Sequence, residues 1–307
     1  MLAIARSAGA QACCVSAAAH EFAVVGRVED AVVVAELGYE HGFGSYDSQS
    51  RYHRLRDAEV DDGVLTLGAG VRLFPRDLQV GAALPLRVQH RDLPGVGSST
   101  RFGFGDASLA LRYTLIDDPL TGIHAAEPAS YVPMIDLIAG VRVPLGRAPD
   151  ESRDETGADA TGEGAWVALI GAEVTKFLTQ RDAIQLRADY GYRFSHEIHP
   201  ASAPASELDP GDEIGVGAAF LDYPSFVWSW GAFLDARFTT AAANDGVTVP
   251  RSASRRVRAG AHVTYAWSHP EWRSTLTLST DPFWDGVSRN VPFAGVRAAL
   301  NVRRSFL

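Results

Sequence analysis

The stretch VLTLGAGVRLFPRDLQVGAALPLRVQHR, residues 64–91, contains two alternating apolar runs joined by a few residues. In the second run every other residue from Leu78 to Val88 is apolar, and the residues between them are small or polar. Side chains of a β-strand point alternately to opposite faces, so this spacing predicts a strand with one aliphatic face. The run from Val64 to Leu73 alternates in the same way. Because Pro75 and Asp77 favour a tight turn, the whole stretch is predicted to be a β-hairpin.

The strands of this hairpin are about ten residues long, which is enough to cross a bilayer at a tilt. The chain is 46% hydrophobic, but no window approaches about 18 uninterrupted apolar residues, which excludes a helical membrane span. The same criterion does not exclude a membrane β-barrel, because the lipid-facing residues of a barrel strand alternate with polar ones. The net charge of -9 and the lack of a basic block exclude nucleic acid as an expected partner.

Similar two-faced runs recur along the 307 residues, and we count about twelve strands. The links between them are alternately long and short, with residues 116–132 as the exception, and the polar stretches 41–63 and 91–103 are predicted to be long loops. Bacterial outer-membrane barrels have an even strand number, long external loops and short periplasmic turns. We therefore predict an all-β fold, a transmembrane antiparallel up-and-down β-barrel of about 12 strands in the outer membrane of a Gram-negative bacterium.

Aromatic residues fall near the proposed strand ends, where membrane barrels carry girdles at the two interfaces. The residues in these positions are Tyr39, Phe43, Phe74, Phe102, Phe104, Phe177, Tyr223, Phe226, Trp228, Trp267, Trp272, Phe283, Trp284 and Phe293.

The domain organisation is predicted to be simple. Residues 1–22 resemble a degenerate export signal peptide, with Arg6 near the start and small residues Ala17 and Ala19 placed for cleavage. Residues 23–307 are predicted to form a single barrel domain. The adjacent Cys13 and Cys14 cannot easily bridge each other, so they indicate no disulfide framework, and a lipid-modified cysteine is the alternative.

Residues 146–163 are the most polar block of the chain, too poor in apolar residues to order themselves alone. A mobile surface loop is the simpler interpretation. A calcium site is the alternative, because the block offers many carboxylates, but their spacing matches no calcium-loop pattern and no metal site is assigned. The acidic residues are Asp150, Glu151, Asp154, Glu155, Asp159 and Glu163.

The strand register predicts which polar side chains point to the lumen of the barrel. The candidate lumen-lining residues are Arg72, Arg87, Arg112, Asp136, Arg142, Glu173, Arg187, Asp189, Arg193, Glu213, Asp235, Arg237, His262, Arg297 and Arg303. Both signs of charge are interspersed, so one hypothesis is a paired polar network that fills a narrow barrel. The other is a water-filled pore whose arginines favour anions or solutes that carry a carboxylate.

No catalytic, cofactor-binding or metal site is predicted. Ser195 and His196 are neighbours and point to opposite faces, and His262 has Thr264 beside it on its own face, although a distant serine could still reach a histidine. His196 and His199 are three apart without a cysteine partner, a weak indication of metal. We expect that the protein is not an enzyme and needs no cofactor.

Three stretches carry a family resemblance: LGAGVRLFPRDLQVGAALPL at 67–86, FGFGDASLALRYTL at 102–115 and DLIAGVRVPLG at 136–146. Their shared features are an aliphatic-Pro strand end, a Gly-x-Gly-Asp strand start followed by an Arg-Tyr pair, and a Val-Pro-Leu-Gly strand end. This pattern resembles the outer-membrane transporter family named for the meta-pathway of phenol degradation. The resemblance covers roughly residues 64–195.

The resemblance implies a barrel that passively passes small hydrophobic, aromatic or amphipathic solutes, and it supplies no catalytic residues. The expected partners are outer-membrane lipid, the solute and the barrel-assembly machinery, and the barrel is expected to be a monomer. Barrels of this kind commonly end in an aromatic residue, whereas Phe306 is penultimate here. The alternatives are a plugged barrel with a structural or lipid-hydrolysing role, and a soluble β-sandwich that binds a ligand.

Overall fold

The computed structural model describes residues 25, 29–73, 78–118, 122–124, 127–198, 205–225, 227–267 and 271–306. Twelve antiparallel strands form one sheet, and the last strand pairs with the first, so that the sheet closes into a barrel. The strands are β1 (Ala31–Tyr46), β2 (Glu59–Arg72), β3 (Leu78–Leu93), β4 (Ala107–Ile116), β5 (Met134–Val143), β6 (Val167–Phe177), β7 (Asp182–Arg193), β8 (Glu213–Asp222), β9 (Trp228–Thr239), β10 (Ser254–Ala266), β11 (Trp272–Thr280) and β12 (Val291–Phe306). The predicted fold class is confirmed.

Successive strands are neighbours around the barrel, so the chain follows the predicted up-and-down topology. Ala31 of β1 lies opposite Phe306 of β12, so the start of β1 and the end of β12 lie at the same end of the barrel, which we call the terminal rim. The opposite end, which carries the long connections such as residues 144–166, is the loop rim. None of the helical segments in the described ranges is long and apolar enough to cross a membrane.

The faces predicted for the hairpin of residues 64–91 are those observed. On β2, Leu65, Leu67 and Val71 are exposed, and on β3, Gln79 and Gln89 are buried. Large aliphatic residues cover the outside of the remaining strands in the same alternation, for example Leu109, Leu111, Ile170, Leu186, Leu234, Leu276, Leu278 and Leu300. An outer surface of this kind is stable in lipid and not in water.

Two stretches predicted to be loops are largely strand instead. Strand β1 continues through His41–Tyr46, β2 begins already at Glu59, and a short strand at Tyr52–Arg54 pairs with the end of β1. Similarly, β3 extends through Arg91–Leu93 and pairs with a further strand at Gly97–Phe104. These segments were predicted to be loops because they are polar on both faces. A strand can be polar on both faces where it extends beyond the membrane into water.

The remaining connections contain little regular structure. A 3-10 helix at Pro128–Tyr131 lies in the atypically long link between β4 and β5, and another at Pro149–Glu151 lies in the acidic block. Four short strands form a separate sheet over the loop rim: His196–Ile198, Ser206–Asp209, Ala243–Asn244 and Val247–Thr248.

Aromatic side chains gather at the terminal rim of β9 and β10. The ring centroids of Trp228 and Tyr265 are 4.6 Å apart, and those of Tyr265 and Trp267 are 6.4 Å apart. At the loop rim, Phe102 and Phe104 are exposed on the outer side. The predicted girdle residues Phe74 and Phe226 lie outside the described residues, as do the predicted turn at 74–77 and residues 1–22 with both cysteines.

Replacement of Leu67 by arginine should cost about 2–4 kcal/mol of unfolding free energy, because the charge would lie in the middle of the lipid-facing band. Leu67 is 47% exposed and lies opposite Ala35 and Leu84. The matched control is Val71→Arg, at a residue 44% exposed but next to the terminal rim, for which we expect about 0–1 kcal/mol. Equilibrium unfolding in lipid vesicles measures both costs, and equal costs would contradict a lipid-facing band.

Candidate functional site

The inner face of the barrel carries large polar side chains next to glycines. Asp189 on β7 lies beside Gly215 on β8, and a Cβ at residue 215 would stand 2.6 Å from the Asp189 carboxylate oxygens. Likewise, a Cβ at residue 231 on β9 would collide with the imidazole of His262 on β10. Inward glycines thus make room for long side chains that lie flat against the wall.

One cluster of candidate residues joins three neighbouring strands. Arg112 on β4 donates to Asp136 on β5 at 2.5 Å and to Glu173 on β6 at 2.6 Å. Both carboxylates are 2% exposed, and Thr114 donates its hydroxyl to the second oxygen of Asp136 at 2.6 Å. This arrangement satisfies two buried acids with one guanidinium and fixes the positions of three strands.

A second cluster lies nearer the loop rim. Glu213 on β8 is 1% exposed and accepts from Arg142 on β5 at 3.0 Å and from Arg193 on β7 at 2.9 Å. Glu163, from the acidic block, contacts the same two arginines at 3.2 and 2.9 Å. The long loop is thereby tied to the inner wall.

Four further candidates lie on β7 and β9. Arg187 and Asp189 are two residues apart on one face and form an ion pair of 3.0 Å. Asp235 and Arg237 are half-buried on the same face of β9. Arg87 on β3 is also half-buried, and its Nε is enclosed without a hydrogen-bond partner in the described part of the chain.

Near the terminal rim, the residues that precede β1 contact inward-facing side chains. Glu29 forms an ion pair with Arg303 of β12, and its carbonyl accepts from Arg72 Nε of β2 at 3.0 Å. Val25 is 1% exposed, and its N–H donates to Gln79 Oε1 at 3.1 Å. The candidate residues Arg72 and Arg303 therefore contact the N-terminal segment.

A cluster of charged residues at the seam between the first and last strands was not predicted from the sequence. Arg256 of β10 contacts Glu40 of β1 at 2.5 Å and the fully buried Asp281 at 2.7 Å, while Arg258 contacts Glu40 at 2.7 Å. Asp281 also accepts from the N–H of Gly295 on β12 at 2.9 Å. Alternation of apolar and polar residues could have identified the inner face of β1. Val32–Val34 are continuously apolar, however, so the two faces of this strand could not be distinguished.

The candidate Arg297 has a partner that was also missed. Its Nη2 lies 2.9 Å from Glu36 Oε1 of β1, and Glu36 is buried. Together with the Glu40 cluster, this pair joins both edges of the barrel closure.

His262 differs from the other candidates because it is buried without a charged partner. The residue is 2% exposed, and neither ring nitrogen forms a hydrogen bond with a described residue. A serine–histidine hydrogen bond is therefore absent at His262. Ser195 donates to Glu207 at 2.6 Å, Nδ1 of His196 has no described partner, and His199 lies outside the described residues.

The acidic block packs against the strand at Gly97–Phe104. Asp154 accepts from the Ser99 hydroxyl and from Arg101 Nε at 2.8 Å, and the Thr161 hydroxyl donates to the Phe104 carbonyl at 2.6 Å. The Ser99 and Thr156 hydroxyls hold the pKa of Asp154 well below its usual range. The polar block is ordered by these partners rather than by an apolar core.

A cavity of about 430 Å³ lies between this strand and the acidic block. Its wall includes Arg101, Phe102, Phe104, Leu145, Arg147 and Arg153.

The carboxylates of the block pair with arginines and hydroxyls. Arg147 contacts Asp159 at 2.5 Å. Burial raises the pKa of Asp159, but hydrogen bonds from Ser152, the Arg153 N–H and Arg147 outweigh it and bring the pKa to about 2. Within the described ranges no group of three or more His, Cys, Asp or Glu residues could hold a metal ion.

Replacement of Arg112 by methionine should lower the unfolding free energy by about 3 kcal/mol, because Asp136 and Glu173 would remain buried without their shared cation. Arg101→Met is the matched control: its side chain is 56% exposed, and loss of its pair with Asp154 should cost about 0–1 kcal/mol. Equilibrium unfolding in vesicles compares the two variants. Similar losses for both would show that the inner cluster is not a buried network.

Replacement of Asp154 by alanine should release the acidic block and increase the rate of tryptic cleavage after Arg153, because Ser99 and Arg101 would lose their acceptor. Asp150→Ala is the control, since the Asp150 side chain forms no hydrogen bond or ion pair with a described residue. Limited proteolysis of the folded barrel gives the two rates. An unchanged rate for Asp154→Ala would mean that other contacts hold the loop.

No protein-family model and no curated protein sequence matches the chain. Among solved structures, an outer-membrane channel from Pseudomonas putida F1 is similar, with a TM-score of 0.69 and 15% identity over 93% of this chain and 98% of that one. The β domain of a Bordetella autotransporter gives a TM-score of 0.50 and 12% identity over 91% of this chain and 100% of that one. A monoaromatic hydrocarbon channel gives 0.43 and 10% over 91% and 89%.

The structural similarity at this level of identity shows the fold. It confirms the predicted β-barrel fold, and the predicted location in the bacterial outer membrane agrees with that fold. The resemblance to the meta-pathway transporter family remains a prediction, since no family model matches. The chain is similar in fold to outer-membrane channels.

Proposed function

We propose that this barrel is a channel through which small hydrophobic, aromatic or amphipathic solutes diffuse passively across the outer membrane. The proposal agrees with the family resemblance of residues 64–195. Transport would need no energy source within the chain, because the solute moves down its own gradient.

The observation that carries this proposal is the local pairing of charges on the inner face. Arg112 lies between Asp136 and Glu173, and Glu213 lies between Arg142 and Arg193. A pore that selects anions needs rings of arginine whose charge is not cancelled nearby. Because the guanidiniums of Arg112, Arg142 and Arg193 are matched by carboxylates at 2.5 to 3.0 Å, their own field along the lumen is weak, which favours an uncharged solute over an ion.

In this proposal the fifteen candidate lumen residues form the wall of the pathway rather than a binding site for ions. The paired clusters keep the strands in register, and the inward glycines beside them leave space between the side chains. Lipid contacts the aliphatic outer face, and the barrel acts as a monomer after insertion by the barrel-assembly machinery.

A second candidate function is a barrel with a filled lumen that has a structural or lipid-hydrolysing role. It is favoured by the deep burial of Glu173, Glu213 and Asp136, none of which exceeds 2% exposure. Side chains so enclosed narrow the space available for a solute.

Uptake by cells that lack their own channels for such solutes distinguishes the two candidates. We expect the protein to increase the initial uptake rate of phenol several-fold over cells with an empty vector. Gly217→Trp should abolish the increase, because residue 217 points inward beside Asp235 and an indole there would obstruct the lumen. The matched control Ala218→Trp places the same ring on the exposed outer face and should retain uptake.

The folded state of each variant is verified by the heat-modifiable mobility of the barrel on gels. A folded barrel that gives no uptake above the empty vector would overturn the channel proposal and favour the filled lumen. Strong anion selectivity in planar bilayers would contradict an uncharged pathway. Lipid hydrolysis in vesicles would favour the enzymatic alternative.

A further inference from the structure

The inner wall has an uncharged sector on three consecutive strands. Gly231 of β9, His262 of β10 and Thr277 of β11 are register partners and lie side by side at one height of the barrel wall. At the next level toward the terminal rim, Ser229 lies beside Thr264. Inward residues of this sector are neutral, whereas the neighbouring wall toward the loop rim carries the ion pairs of Arg256, Arg258 and Arg297.

The imidazole of His262 is enclosed but uses neither of its nitrogens. A neutral imidazole offers one N–H donor and one acceptor nitrogen. Enclosed polar atoms of this kind nearly always have a partner, and leaving one without a partner is costly. Both nitrogens of His262 lack a described partner, so this side chain has a free donor and a free acceptor directed within the wall.

The hydroxyl groups around it are also free. Ser229, Thr277 and Ser279 are 6–7% exposed, and their hydroxyls form no hydrogen bond with another residue of the described chain. Only Thr264 and Thr275 in this sector pair with each other, at 2.8 Å. The neighbouring arginines on the same face are occupied, because Arg258 contacts Glu40 and Arg297 contacts Glu36.

Apolar side chains border the same sector. Leu221 of β8 lies opposite Gly231. Phe233 of β9 lies opposite Gly260, which is the next inward residue of β10 from His262 toward the loop rim. Ala299 of β12 lies opposite Thr277. Leu221, Phe233 and Ala299 are 2%, 8% and 3% exposed, which places apolar surface on both sides of the free hydrogen-bonding groups.

We propose that the sector around His262, Thr277 and Ser279 is a binding site for an uncharged amphipathic solute that carries a hydroxyl group, with its apolar part against Phe233 and Leu221. The solute hydroxyl can donate to the acceptor nitrogen of His262 and accept from the Thr277 hydroxyl. This inference rests on the proposed channel function and names the class of solute. A charged solute fits less well, because no free counter-ion among the described residues faces the sector and desolvation of its charge would not be compensated.

Equilibrium dialysis of the detergent-purified full chain tests the site independently of transport. The probes are labelled phenol and toluene, which differ in the hydroxyl group. We expect phenol to bind more tightly than toluene to the wild type. His262→Phe should weaken phenol binding about 2- to 10-fold, the value of one hydrogen bond, and leave toluene binding within 2-fold. Thr277→Val should act in the same direction.

Two further variants separate a specific site from a general change of the wall. His262→Gln keeps a donor and an acceptor and should recover part of the phenol affinity. Thr175→Val makes the same chemical change as Thr277→Val on the inner face of β6, where Thr175 is 4% exposed and accepts from Gln185. It should leave the affinity for phenol unchanged.

Equal affinities for phenol and toluene in the wild type, or unchanged phenol binding in folded His262→Phe, would overturn the site. The outcomes for site and channel are distinguishable. Uptake without a His262-dependent affinity would leave the channel and remove the site, whereas His262-dependent binding without uptake would leave the site and remove the channel.

Discussion

The pairing of the first strand with the last is the constraint on which the rest of the structure depends. Lipid offers no hydrogen-bonding partner, so an open sheet edge within the membrane would leave a row of backbone N–H and C=O groups unsatisfied. The register of β1 against β12 is continuous from Ala31 opposite Phe306 to Gly42 opposite Gly295, and after two shifts it ends with Tyr46 opposite Val291, so the two edges pair with each other. Ion pairs from Glu36 to Arg297 and from Glu40 to Arg256 join elements more than 200 residues apart across this seam.

Closure also determines the chemistry of the interior. Once the sheet closes, every second residue points into a confined space in which an unpaired charge is costly. The inner wall meets this requirement by pairing long arginines with carboxylates on neighbouring strands and by placing glycine beside them, as Gly215 beside Asp189 shows. The uncharged sector at His262 holds an enclosed imidazole without a described hydrogen-bond partner, and for that reason it is the part of the wall where we place a solute.

The faces of individual strands were predictable from the sequence, because a period of two in residues such as Leu65, Leu67 and Val71 has a single geometric explanation. The strand extensions at His41–Tyr46 and Glu59–Gly63 were not, because outside the membrane the backbone still pairs while the side chains lose their apolar pattern. The inward direction of Arg112 and Glu173 followed from that period. Their contact did not, since it depends on the register of three strands separated by long links. The lack of described hydrogen-bond partners at His262 could likewise be recognised only in the folded barrel.

The central claim is that one face of each strand contacts lipid while the other lines the interior. The measurement that tests it most directly is the oxygen accessibility of a nitroxide spin label placed at successive positions along β3. With Cys13 and Cys14 replaced by serine, single cysteines at successive residues from 78 to 89 would carry the label in vesicles. Collisions with oxygen, which concentrates in lipid, should be frequent at Val80, Ala82 and Leu84 and infrequent at Gln79, Gly81 and Ala83. A profile without period two, or one of opposite phase, would contradict the account.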